Sequence, residues 1–175
     1  MNYDARLDLD GQGKPIYGDS PFKATKDITF TANGTVVKIL FTLTGSVMLT
    51  RLWGEVTTDL GTNHTAASWR LNDQGAQIYL TAVGGTTLSS IKAGSLIVKD
   101  KLVAVALTKI DNANGAILES AEAGINIFTP VKLIKKTAAV TQIEYRYITN
   151  NTSLGAIRFF ASYYPLTIDG ALAPA

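Results

Sequence analysis

The chain has 175 residues, 17% of them charged, with sixteen Lys and Arg against fourteen Asp and Glu. There is no cysteine and a single histidine, His64. These figures exclude disulfide scaffolds, thiol catalysis and Cys- or His-rich metal centres. A net charge of +2 lacks the basic surplus of a nucleic-acid binder. The chain holds 21 Thr, 15 Ile and 10 Val, so its 46 β-branched residues favour strands over helices.

The start, Met1-Asn2-Tyr3-Asp4-Ala5-Arg6, has no basic segment followed by an apolar one. It does not read as a secretory signal, and folding in the cytoplasm is expected. No apolar run reaches the ~18 residues a membrane helix needs, so no membrane partner is expected. The sequons at Asn33, Asn63, Asn150 and Asn151 then follow from abundant Asn and Thr rather than from glycosylation.

Residues 1–24 form an expected extended arm. Gly11, Gly13, Pro15, Gly18 and Pro21 break any regular element there. Its apolar residues Tyr3, Leu7, Leu9, Ile16, Tyr17 and Phe22 follow no steady period. They need a surface to pack on, from their own body or from a neighbour. Residues 25–175 read as one β-sandwich domain.

From Lys26 the period becomes two, with Ile28, Phe30 and Ala32 alternating against Asp27, Thr29 and Thr31. Asn33-Gly34 suits a type I′ turn, with residues 35–44 as the returning strand. Gly45 breaks that strand, and a long one follows over 46–58. Strict alternation puts Val47, Leu49, Arg51, Trp53 and Glu55 on one face and Met48, Thr50, Leu52, Gly54 and Val56 on the other. Both faces are partly apolar, so the strand should be central or be covered by another subunit.

Further strands are expected at 67–71, 76–81, 95–110 (bent near Lys99–Lys101), 125–129, 131–135, 141–149 and 156–166. Asn72-Asp73-Gln74-Gly75, Gly84-Gly85, residues 111–115 and residues 150–155 punctuate them. Residues 116–123 are the one candidate helix, and 89–92 a single turn. Many short strands between turns indicate an all-β antiparallel sandwich or barrel. In the 141–149 strand, Ile143, Tyr145 and Tyr147 face one way and Gln142, Glu144 and Arg146 the other. The last long strand is apolar on both sides apart from Arg158 and Ser162. Its end, with Tyr163 and Tyr164, is a candidate interface, since tyrosine is enriched where proteins meet.

No catalytic constellation emerges. Asp8, Asp10, Gln12, Gly13 and Asp19 fall on a calcium-loop spacing, but Pro15 interrupts it and no helices flank it. His64 sits in Gly61-Thr62-Asn63-His64-Thr65 without a nucleophile elbow, and an exposed loop histidine is expected. The four glutamates, Glu55, Glu119, Glu122 and Glu144, show no paired-carboxylate spacing. Gly84-Gly85-Thr86-Thr87 lacks the lysine of a phosphate loop. An enzyme is not expected, nor any metal or other cofactor. The basic excess of the second half, at Lys99, Lys101, Lys132, Lys135 and Lys136, fits solvated sheet edges or an acidic partner.

Two segments carry a family resemblance. One is Thr44-Gly45-Ser46-Val47-Met48-Leu49-Thr50-Arg51-Leu52-Trp53-Gly54-Glu55-Val56-Thr57-Thr58. The other is Gly155-Ala156-Ile157-Arg158-Phe159-Phe160-Ala161-Ser162-Tyr163-Tyr164-Pro165-Leu166, continuing to Asp169-Gly170-Ala171. Together they resemble a family of small virion structural proteins of tailed bacteriophages. In that family a TG-V-V-x-x-L-x-G-x-V-T-T strand opens the body and a G-x-I-x-F/W-x-x-x-Y-x-P-L-x-x-G-A strand closes it. The resemblance does not extend to residues 67–140 or to the arm.

The resemblance implies a jelly-roll-like sandwich that decorates or cements the capsid exterior as a small oligomer. The implied partners are the major capsid protein and the chain itself, as a homotrimer in preference to a dimer. The alternative is a carbohydrate-binding or adaptor module of a head fibre or tail. That reading would use Trp53, Trp69 or the Tyr145/Tyr147 face.

Overall fold

A computed structural model of the chain describes residues 22–30, 34–73, 76–82, 87–99, 108–110, 130–135, 140–149 and 155–175. Tyr3, Leu7, Leu9, Ile16 and Tyr17 of the arm, the calcium-like loop, the candidate helix and the 125–129 strand lie outside them. The strands are β1 (Phe22–Thr29), β2 (Gly34–Thr44), β3 (Ser46–Thr58), β4 (Thr65–Asp73), β5 (Ala76–Tyr79) and β6 (Leu96–Val98). They continue with β7 (Thr108–Ile110), β8 (Val131–Ile134), β9 (Thr141–Thr149), β10 (Ala156–Pro165) and β11 (Ala171–Pro174). No helix occurs among the described residues.

The strands form two antiparallel sheets packed as a sandwich. One runs β1-β10-β3-β6-β7, with β8 also on β3; the other runs β11-β2-β9-β4-β5. The core lies between them. Phe159 of the first sheet meets Tyr145 of the second, ring centres 4.9 Å apart, and meets Trp69 edge-on at 6.4 Å. Val47, Leu49, Leu52 and Val56 of β3 and Ile143, Tyr145 and Tyr147 of β9 are fully buried.

Two expectations about pairing are corrected. β1 and β2 do not form a hairpin through Asn33-Gly34. β1 pairs with β10 and β2 with β9, so the chain crosses from one sheet to the other there. A two-residue turn signal states that the chain reverses, not which neighbour the next strand takes. The 95–110 stretch is not one bent strand either: β6 pairs back on β7. The arm boundary also moves, since Phe22 through Ala24 belong to β1 and pair with Tyr163 through Ala161.

Two bulges decide which residues face the core. On β2, Ile39 pairs with Glu144 and Phe41 with Ile143, leaving Leu40 as an extra residue. Leu40 and Phe41 are therefore both buried, while Val37 and Ile39 before them face out. On β3, Arg51 pairs with Ser162 and Leu49 with Tyr163, leaving Thr50 extra. An added residue switches the alternation. The inward set becomes Val47 and Leu49, then Leu52, Gly54 and Val56. Strict alternation would have turned Arg51 and Glu55 inward with Val47; the bulge places both on the outer face with Trp53.

Edge protection is visible in the same register. Lys26 takes the inward position opposite Phe159 on edge strand β1. An inward lysine on an edge opposes pairing with a foreign strand.

Candidate interaction surface

The two segments that carry the resemblance are neighbours. β3 and β10 pair antiparallel along their length, from Ala156–Thr58 to Pro165–Val47. They sit at the centre of their sheet, between β1 and β6/β8.

Their glycines make a clasp at one end. Gly45 joins β2 to β3 with φ +56°, which L side chains rarely adopt. A Cβ on it would collide with the Asp169 and Thr167 side chains. A Cβ on Gly170 would collide with the carbonyl oxygen of Ser46. Hydrogen bonds tie the same residues: Ser46 N–H to Thr167 Oγ1 at 2.8 Å, Leu166 N–H to Ser46 O at 2.8 Å, and Thr44 Oγ1–H to Asp169 O at 2.9 Å. The Thr-Gly and Asp-Gly signatures are thus two halves of one junction.

The outer face of the β3–β10 pair is aromatic and mixed in charge. Trp53 and Phe160, cross-strand partners, stack with ring centres 4.9 Å apart and planes 9° from parallel. The Arg51 guanidinium lies 5.4 Å from the Trp53 ring centre, a cation–π distance. Met48 pairs with Tyr164 beyond them, both half-buried. Arg158 forks onto Asp27 of β1, Nε–H to Oδ1 at 2.7 Å and Nη2–H to Oδ2 at 3.2 Å. That hydrogen bond holds the Asp27 carboxyl below its usual pKa. At the clasp end Leu166, Ile168 and Ile134 are 37%, 83% and 59% exposed. Ile134 of β8 pairs with Ser46, and Leu166 continues the outward positions of β10.

The tyrosine interface expected from sequence divides. Tyr163 points inward, is buried, and packs on Phe22 with ring centres 5.9 Å apart. Both are used by the chain's own core. Tyr164, the next residue, lies on the outer face. The aromatics proposed for a sugar platform divide similarly: Trp69, Tyr145 and Tyr147 are fully buried. Trp53 alone stays partly exposed, already packed by Phe160 and Arg51.

His64 is not an exposed loop residue. It is 1% exposed, because Thr62-Asn63 turn the chain back and the ring drops among Phe30, Tyr145 and Tyr147. The ring lies 4.4 Å from that of Tyr147, nearly parallel, and Nε2 shares a 2.8 Å hydrogen bond with the Tyr145 hydroxyl. Burial lowers its pKa to about 4 and raises that of Tyr147 to about 12. His64 Nδ1 and the Tyr147 hydroxyl have no hydrogen-bond partner among the described residues. The contacts of His64 are with the rings of Phe30, Tyr145 and Tyr147, an aromatic cluster in the core.

A second polar group lies on β4 and β9, on the opposite face of β9 from Tyr145 and Tyr147. Arg70 Nε–H donates to Glu144 at 2.7 Å, Asn72 Nδ2–H to the same carboxylate at 2.8 Å, and Arg70 Nη1–H to Gln77 at 2.7 Å. The pair is nearly fully buried. Both carboxylate oxygens accept a hydrogen bond, which is the condition for burying an ion pair tolerably. Among the described residues there is no cluster of metal-ligating side chains and no helix long and apolar enough to cross a membrane.

Sequence reading placed Leu166 in the last long strand, on the face of Phe160 and Tyr164, but missed Ile134 and Ile168. Ile134 could not be found locally, because its place depends on β8 pairing with β3 across most of the chain. In comparisons with known proteins, the chain matches no family model, no curated protein and no solved structure.

Proposed function

We propose that the chain is a non-enzymatic structural protein of a tailed-phage particle, a decoration or cement protein on the outside of the head. The observation that carries this reading is the β3–β10 unit. Two distant segments with family-like signatures pair along their length, with an apolar inner face and an outer face that combines aromatic and charged residues. The inner face forms the sandwich core. The outer face carries Trp53, Phe160, Met48 and Tyr164 at the centre of a sheet, an aromatic-rich composition typical of interface centres. The jelly-roll-like connection pattern is part of the same reading.

A cement protein stabilises a shell by binding only the assembled state. A small symmetric oligomer, a homotrimer in preference to a dimer, makes several such contacts at once and gains avidity. The arm, now residues 1–21, would reach the shell or a neighbouring subunit. A sugar-binding module is the weaker reading, because three of its four proposed aromatics are core residues.

The test is particle composition. Heads purified from cells producing the phage that encodes this chain should contain it in fixed stoichiometry. Light scattering on the free protein should give a trimer mass. Heads without the chain, together with a monomeric free protein, would defeat the proposal.

A further inference from the structure

We infer that the outer face of the β3–β10 sheet docks on an acidic surface of the shell protein. This rests on the decoration reading and names its contact face and partner chemistry. An apolar stripe runs along that face from the Trp53–Phe160 stack, through Met48 and Tyr164, to Ile134 and Leu166 at the clasp. Such a stripe, partly exposed and crossed by the Arg51–Ser162 pair, is the kind of patch soluble domains keep for partners.

Charged positions flank and cross the stripe. Among the described strand residues of this face, Lys23, Arg51, Lys132 and Arg158 stand against Asp27 and Glu55, four positive and two negative, a surplus of +2. Lys23, Arg51 and Lys132 are exposed. Among the described residues the outer face of the opposite sheet has no comparable aromatic stripe: around exposed Val37 and Ile39 it carries Tyr79, Gln142, Arg146 and the Arg70–Glu144 pair. Charge complementarity then selects the occupant. Two copies docked by this face would each bring the same positive surplus, and like charges across an interface are disfavoured. An acidic partner meets the rim and leaves the aromatic centre to be desolvated.

The experiment is co-sedimentation of the full chain with heads stripped of it. Three variants are compared with the unmodified chain: K23E/K132E at the rim, I134S/L166S on the stripe, and V37S/I39S on the opposite sheet. All six positions are at least partly exposed, and thermal melts confirm that each variant folds. The rim and stripe variants should bind at least tenfold more weakly, and V37S/I39S as the unmodified chain does. Unmodified binding should also weaken as salt is raised. Loss of binding in V37S/I39S, with the other two unaffected, would overturn the docking face while leaving the decoration reading intact. A stripe variant that falls from oligomer to monomer yet binds heads normally would make the face a self-interface and overturn the inference. Failure of the unmodified chain to sediment with heads would overturn both.

Discussion

Gly170 lies against the carbonyl oxygen of Ser46 so closely that a Cβ there would collide with it. The same clasp holds Gly45 at φ +56° against Thr167 and Asp169. Gly45→Ala should cost about 1–3 kcal/mol from the backbone conformation, with the collision adding to it. Gly170→Ala should be comparably destabilising. Urea unfolding measures both, and a change under 0.5 kcal/mol, taken as ~0.5 for an ordinary surface position, would mean the clasp yields easily.

Phe159 and Phe160 are adjacent and face opposite ways. Phe159 packs on Tyr145 and Trp69 in the core, and Phe160 stacks on Trp53 outside. Phe159→Ala should cost about 3–5 kcal/mol as a core truncation. Phe160→Ala should cost only about 1 kcal/mol, the scale of one aromatic pair at a half-buried site. Equal losses in denaturant melts would contradict the assignment of faces.

His64 predicts a pH dependence. Its folded pKa of about 4 lies below the 6.5 of an unperturbed histidine, because burial penalises the charged ring. The unfolded chain therefore binds the proton more readily between those values. The neutral ring's contribution is complete above pH 6.5 and falls as pH drops toward 4, by about 2–3 kcal/mol at pH 4.5. Asp27 and Asp59 have lowered pKa values, through hydrogen bonds from Arg158 and from Lys92 and Ala93. Their stabilisation is lost at lower pH, as it falls through the depressed values. His64→Phe should flatten the slope between pH 6.5 and 4.5 in urea titrations; an unchanged slope would place its origin elsewhere.

Glu144 sits between Arg70 and Asn72 with little solvent contact. Glu144→Ala strands a buried guanidinium and should cost about 3–5 kcal/mol. Arg70→Met with Glu144→Leu removes both charges and should recover most of that loss. A double variant as unstable as the single one would show that the network's geometry, not the unpaired charge, sets the penalty.

Much of this was legible locally. Alternation in Ile143, Tyr145 and Tyr147 gave the correct inner face of β9, because no bulge interrupts that strand. The limits of β3 were legible because Gly45 breaks the chain sharply. The faces of β3 were not: Thr50 looks like any strand residue, and its bulge exists only in relation to Ser162 and Tyr163. His64 was misread for a related reason. A turn sequence around a histidine suggests solvent, but its burial comes from Phe30, Tyr145 and Tyr147, which no local pattern connects to it. β11 escaped notice because Leu172 is its one buried apolar residue, held by pairing with Leu43.

The most direct test of the account is a cryo-electron microscopy map of the intact particle. The account predicts density for the sandwich on the outside of the head, at symmetric lattice positions, with the β3–β10 face toward the shell. Density confined to the tail, or heads with no such density, would contradict it.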